Sequence, residues 1–580
     1  MGAEARRRAA LAAAGETAFD LVIRNVRLVN VFTSEIYPAH IGVAAGLVAA
    51  VLPGDGPAPD GREVVDGQGR YAVPGLIDSH LHVESSMVLP PAFAAALVPR
   101  GILTIIADPH EIANVMGLAG IRLFVEAGRG LPLDCFWQVP SCVPATPLET
   151  AGAAIGPEEV QELLGWPEMV ALGEVMDFPA VIAQSGRTAA ILARAVEAGT
   201  VIEGHAPNLT GRELAAYVAA GVNSDHTLVT PELALERLRA GVTLQLQYKS
   251  LSPEVLKTAE AAAKSLNLCL VTDDVLPDEL VSTGHLDHIV RTAVARGLSP
   301  VEAIRAATLA PARRMRLYDR GAIAPGLVAH IVLTPSLEEF RAEQVFHRGR
   351  LVARDGQLVT PLPAFSVPQE ALQTVRMAPP EPAAFAVPAP GRDGAAQVRV
   401  MTLSRTTTYT TATVRTVPAA EGRLLWEDAG LCLAAVFERH GRSGTRGCGL
   451  LDQALEQGAV ASTWAHDSHN LLVVGRSAGD MAAAARWVVE HGGGMAAVLN
   501  GTVLAAVHLP VGGIVSPRSV DEVAAEVRGF REALARLGLI HPNPFMALGA
   551  LTLAVSPELK VTDKGLVDVH RGQVVDLFVA

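Results

Sequence analysis

Residues 78–82 read Asp-Ser-His-Leu-His and close an apolar run, 71–77. Side chains alternate along a strand, so His80 and His82 leave it on one face. Two imidazoles placed together can hold one divalent metal ion. Alone, the pair is equally well read as the polar end of a strand. What gives it weight is a sequel of acids and histidines at the ends of later apolar runs. Glu174 follows the run 169–173, the run 200–203 leads to Gly204-His205, 221–224 leads to Asp225-His226 and Asp273 follows 268–272. Singly, each has a plain structural reading: a buried histidine with satisfied ring nitrogens, a salt-bridge partner or, for Asp273, a helix cap. Those readings would have to hold independently at five strand ends. One shared site for metal-assisted chemistry is the simpler account.

Short strands must deliver these residues to one place. Eight candidate runs occur, at 71–77, 101–107, 134–139, 169–173, 200–203, 221–224, 241–245 and 268–272. Stretches rich in Ala, Leu, Glu and Arg with helical spacing separate many of them, as at 187–198, 212–220, 231–240 and 253–266. Buried strands alternating with helices predict a parallel sheet. Eight such units over about 240 residues match a (β/α)8 barrel, whose active sites lie at the C-terminal strand ends.

The order His-x-His, Glu, His, His, Asp at strands one, four, five, six and eight resembles the amidohydrolase superfamily. The surrounding words are closer still to the adenine deaminase family of bacteria and archaea. They are VPGLIDSHLHVESSM (73–87), DPHEIANVMG (108–117), GEVMDFP (173–179), EGHAPNLTG (203–211) and SDHT (224–227). AHDSHNLLVVG (465–475), HGGGMAAVLNG (491–501), LPVGGIVS (509–516) and SPELKVTDKGLVDV (556–569) resemble that family's C-terminal domain.

The resemblance runs from about residue 19 to the end. It implies an α/β fold: a TIM-type (β/α)8 barrel, a flanking small β-sandwich and a C-terminal mixed α/β domain. The expected division is a tail or loose helix at 1–18, sandwich halves at 19–70 and 321–360, the barrel at 71–320, a Pro/Ala-rich linker at 361–396 and the C-terminal domain at 397–580.

The implied reaction is hydrolytic deamination of adenine to hypoxanthine and ammonia. A ring amine leaves only after a nucleophile adds, and a metal makes one from water near neutral pH. Two divalent ions per chain sharing a bridging hydroxide need a carboxylate that reaches both. Glu174 is the expected bridge, with His80 and His82 on one ion and His205 and His226 on the other. Imidazole and carboxylate suit Mn2+, Fe2+ or Zn2+; manganese is the ion expected. Asp273, also expected as a metal ligand, would take the hydroxide proton and hand it to the leaving amine, while its neighbour Asp274 should point away from the strand-end face and be an inert control. Glu84, His110 and Glu111 are candidates for protonating the ring. His110 and Glu111 have a further reading, as holders of an additional metal or as residues orienting the ligands. Glu84 and Gln247 are expected at the substrate.

Two departures bear on the substrate. Thr227 stands where the family usually has Glu, and Gln245, Gln247 and Lys249 lie where it shows an Arg-Glu-Gly-Ser word. They keep open a related hydrolase of another purine, pyrimidine or cyclic amide. A non-catalytic metal-binding barrel would have no need of Asp273. A cluster in the C-terminal half, His466, Asp467, His469 and Asn470, is either a turn held by its own hydrogen bonds or a set of groups at the barrel mouth.

Composition fits a multidomain enzyme of 580 residues, half hydrophobic and 18% charged. A net charge of −13 without a long basic run disfavours a nucleic-acid partner. Five cysteines with no C-x-x-C pair are expected as reduced thiols in a cytoplasmic protein. No apolar run has the length of a membrane span. A homo-oligomer that takes a small-molecule substrate is the expected form.

Overall fold

The structure is a computed structural model describing residues 2–389, 391 and 394–579. The first five strands of the parallel series are Leu76–Leu81, Ile102–Ala107, Asp134–Val139, Met169–Val175 and Val201–Gly204, joined in chain order in one sheet. The last three, Ser224–Asp225, Thr243–Leu246 and Leu268–Leu270, form a second parallel sheet. An isolated parallel bridge links Leu81 to Asp273, and the Asp273 N–H donates to the His80 carbonyl at 3.1 Å. The Gly204 N–H reaches Ser224 Oγ at 3.0 Å. Together the strands make a curled parallel sheet with helices between them.

Those helices start where local chemistry starts them. Thr230-Pro231-Glu232 and Ser252-Pro253-Glu254 each combine a capping hydroxyl, a proline in the first turn and an acid near the positive helix end. Thr230 and Ser252 accept from the Leu233 and Val255 N–H groups at 3.4 and 3.2 Å. The resulting helices, Pro231–Arg239 and Pro253–Lys264, bury Ala234 and the Val255, Leu256 and Ala259 face.

The run at 71–77 belongs to two different sheets. Tyr71–Pro74 pairs antiparallel with Ile331–Thr334 in the outer sheet, and the first strand of the parallel series, Leu76–Leu81, starts only at Leu76. Hydropathy shows no break because both sheets bury the run. The break comes at Pro74-Gly75, where the Gly75 N–H turns to the His330 carbonyl. The outer sheet has nine strands, continuously hydrogen-bonded, and unites segments before and after the parallel strands. In place of a loose N-terminal segment, helix Ala3–Ala13 packs Ala9 and Ala12 onto this sheet, small side chains permitting close approach.

The C-terminal half holds a nine-stranded sheet from Gly394–Leu403 to Thr502–His508, with helices Ala478–Glu490 and Val520–Arg536. Before it, the Pro-rich stretch contains short 3-10 turns whose Ala371 and Phe385 are buried. One apolar core runs uninterrupted from the curled parallel sheet and its helices into this half. At the seam, Ser516 exchanges backbone hydrogen bonds with Met87 and Leu89 (2.8 and 3.2 Å). A Cβ on Gly512 would sit 2.5 Å from Ile112 Cδ1, so glycine lets the two halves meet. Burial of an isoleucine such as Ile112 is worth about 1.5–3 kcal/mol. Among the described residues no helix is long and apolar enough to cross a membrane.

Candidate active site

Glu174 lies at the centre of the strand-end residues. Its Oε2 is 2.7 Å from His205 Nδ1 and 3.2 Å from His226 Nε2, and its Oε1 is 3.4 Å from His82 Nε2. The two oxygens therefore face different histidines. His80 stacks on His226 with ring centroids 3.8 Å apart. Asp273 Oδ1 lies 3.9 Å from His80 Nε2 and 3.6 Å from His82 Nε2. All six expected ligands thus come together. Burial works against charge on Glu174, yet the His226 charge and the hydrogen bonds of His205, His226 and His82 hold its carboxylate well below the usual range.

The donor set suits metal ions. Neither ring nitrogen of buried His80 has a hydrogen-bond partner, and His226 Nδ1 also lacks one. Burial drives His80 well below the ordinary imidazole value, so it presents lone pairs rather than charge. The His82 Nδ1 side faces the Asp108 carbonyl at 3.0 Å, which directs Nε2 toward Glu174 and Asp273. A carbonyl on one ring nitrogen fixing the other for a metal is a common supporting arrangement.

Several supports were not marked by the sequence pattern. The Glu174 N–H donates to Asp108 Oδ2 at 3.1 Å; a Cβ at Gly173 would lie 2.2 Å from that oxygen, so glycine is required before the bridge. The Tyr217 hydroxyl accepts from the His205 N–H (2.9 Å) and donates to the Val175 carbonyl (2.7 Å), tying the fourth and fifth strand ends together. Asp225, adjacent to His226, pairs with fully buried Arg237 and accepts from the Ala206 N–H. The DPH word around Asp108 and the Asp225-His226 doublet were available as signals; Tyr217 had none.

Asp273 sits at φ 62°, a left-handed conformation that Asp tolerates and that costs energy unless its surroundings hold it. Its N–H is held by the His80 carbonyl and its Oδ2 accepts from Gln247 Nε2 at 2.9 Å. Gln247 Nε2 also donates to the His226 carbonyl. Asp274, expected to point away as the inert neighbour, is drawn inward: Ser85 Oγ donates to it at 2.5 Å, and its charge acts on His82 and Glu111. Gln245, expected near the substrate, instead donates to buried Glu203 at 2.6 Å.

The three acid candidates diverge. His110 joins the centre, with its ring centroid 4.7 Å from that of His82 and Nδ1 3.6 Å from Asp108 Oδ1. Glu84 is fully buried; Oε1 accepts from the Ile112 N–H and Oε2 has no partner. Burial raises its pKa, favouring the protonated acid. Glu111 turns toward the C-terminal half, to His466 and His469. The cluster at 466–470 thus meets the helix after the second parallel strand through Glu111, and the turn is also held by its own bonds, from the Ala465 N–H to His469 Nδ1 and from Asn470 Nδ2 to Ser468 Oγ.

Residues 71–352 match the model of the amidohydrolase family, and 407–573 match that of the adenine deaminase C-terminal domain. The chain is 42% identical to adenine deaminase 2 of Shouchella clausii over 567 residues, 97% of this chain and 99% of that protein. It is 42% identical to the adenine deaminase of Moorella thermoacetica, over 99% of this chain and 98% of the relative. Among solved structures, a beta-aspartyl dipeptidase from Fervidobacterium islandicum aligns at TM-score 0.45 and 16% identity over 60% of this chain and 99% of that one.

Proposed function

This chain belongs to the adenine deaminase family and converts adenine to hypoxanthine and ammonia, and we propose that it does so with two divalent ions shared across Glu174. Metal dependence is common to amidohydrolases; the count and the ion are our reading. His80 and His82 would hold one ion and His205 and His226 the other, with Asp273 beside the first pair. The single observation that carries this reading is the division of Glu174, whose two oxygens face different histidines. When bound, such ions lower the pKa of water toward neutrality and so supply a nucleophile. Manganese suits this imidazole and carboxylate set, as do iron and zinc.

The chain's own residues then move the protons. Asp273 takes one from the nucleophile and passes it to the departing amine. Gln247 fixes the carboxylate for that task through its bond to Oδ2. Glu84, whose pKa burial raises, is our choice to protonate the ring nitrogen next to the attacked carbon. Asp108 orients Glu174 and stands against His110. We also read the eight strands as closing into a (β/α)8 barrel, supported by the Leu81–Asp273 bridge and the Gly204–Ser224 bond.

Purified enzyme loaded with Mn2+ and given a panel of purines and cyclic amides tests the reading. Ammonia release from adenine together with two ions at the Glu174 cluster is expected. An active enzyme with one ion there would remove the shared pair and leave the activity standing.

A further inference from the structure

Glu111 lies in helix His110–Met116, beyond the second parallel strand. His466 and His469 lie in the turn between strands Ala459–Ser462 and Leu471–Gly475 of the C-terminal half. Glu111 Oε1 is 3.3 Å from His466 Nδ1, and Oε2 is 3.6 Å from His469 Nε2. Neither pair makes a hydrogen bond, and Glu111 Oε2, His466 Nε2 and His469 Nε2 are buried without any partner. The three residues converge: one ligand atom from each of Glu111, His466 and His469 lies within 4.8 Å of the others, so a single ion can meet all three.

Charge points the same way. Glu111 and neighbouring Asp467 are 1% and 3% exposed, and among the described residues no Lys or Arg forms an ion pair with either. Buried Arg439, just behind, donates instead to the His469 and Gly512 carbonyls and to Thr374. Buried carboxylates are stable when a cation meets them. A second His/carboxylate group, Asp134 with His330 and His347, shows the contrast: Arg320 and Arg348 both pair with Asp134, so no further cation is called for.

We propose that Glu111, His466 and His469 form a third divalent-metal site that fastens the C-terminal half to the barrel. Two imidazoles with one carboxylate select a first-row transition ion over Mg2+ or Ca2+. Complete burial of all three residues makes the site structural. One contact opposes binding: the Ala465 N–H points at His469 Nδ1 at 3.3 Å. That contact leaves the ring hydrogen on Nε2 and favours a metal-free His–carboxylate pair. Metal binding moves that hydrogen to Nδ1 and gives up the contact.

The total of three ions rests on the two-ion reading of the Glu174 cluster, and the experiment separates the two. Full-length protein loaded with Zn2+ or Mn2+, then dialysed, is measured by elemental analysis and by anomalous scattering from crystals. The wild type is expected to hold three ions per chain and His469→Gln two, with a lower thermal midpoint. Glu174→Gln should keep the seam ion while losing metal at the strand ends. Anomalous density at the Glu174 cluster but not between Glu111 and His469 overturns the proposal. So does equal metal content in the wild type and His469→Gln. If His469→Gln fails to fold, the wild-type anomalous map decides. A wild type with one ion at Glu174 and one at the seam would sustain this proposal and overturn the two-ion reading.

Discussion

Two His/carboxylate clusters sit at opposite ends of the parallel strands. At the C-terminal ends, Glu174 faces His205, His226 and His82, and among the described residues no Lys or Arg forms an ion pair with it. At the other end, Asp134 opens the third strand and meets His330, His347, Arg320 and Arg348. The residue types are nearly the same and both groups are closely packed. They differ in who supplies the positive charge. At Asp134 the protein supplies it in two guanidinium groups; at Glu174 only imidazoles face the carboxylate among the described residues, which makes it our candidate for bound ions. Ligand types make a metal site possible, and the local charge balance decides it.

The largest effect should come from Glu174→Gln. Elemental analysis should show metal lost from the strand ends, and adenine turnover should fall at least about 10³-fold, since the ions supply several kcal/mol of transition-state stabilisation. Full metal retention in this variant would remove Glu174 as the shared ligand and erase the contrast with Asp134. Next, Asp273→Asn should keep most of the metal and lose about 10²–10⁴-fold in kcat, the range for a positioned acid/base. Asp274→Asn should do less, but it is no longer a silent control, because Ser85 holds Asp274 toward the site. A larger loss in Asp274→Asn would exchange the two roles.

At the opposite end, Arg320→Met should cost up to about 3 kcal/mol, because it removes one partner of a buried carboxylate while Arg348 and the histidines remain. If charge is what separates the clusters, added Zn2+ should recover part of that loss in thermal unfolding; a midpoint indifferent to the ion would break the comparison.

The smallest effect concerns pH. Burial alone would raise the Asp134 pKa, yet His347 and the charges of His330 and Arg320 hold it well below the ordinary carboxylate value of 3.8. Its stabilising contribution is therefore complete above that value and is lost as pH falls through the lower, folded one. Asp134→Asn should flatten the acid limb of stability below about pH 4 and leave its slope near neutrality unchanged.

Legibility followed how local each signal was. His80 and His82 were readable because strand alternation places i and i+2 together, and Glu174, His205, His226 and Asp273 because each ends an apolar run. The helix starts at Thr230 and Ser252 were readable from two or three adjacent residues. The division of 71–77 between two sheets was not, since an apolar run looks the same whichever sheet buries it. The inward turn of Asp274 was missed for a related reason. Alternation predicts opposite faces for neighbours in a strand, but Asp273 adopts a left-handed backbone that breaks the alternation. Gln245 was placed near the substrate by its position in a strand-end word, and only the packing of Glu203 beneath it shows otherwise.

By itself, the sequence determined which residue types stand at successive strand ends and in what order, because both properties arise from short-range periodicity and chain direction. Tertiary structure alone decided that the two oxygens of Glu174 face separate histidines, that Arg320 and Arg348 neutralise Asp134, and that His466 and His469 come to rest against Glu111. Those pairings join segments far apart in the chain. They are fixed by how the parallel sheet curls and by how Ile112 and Gly512 let the two halves share one core. No local pattern of residues carries that information.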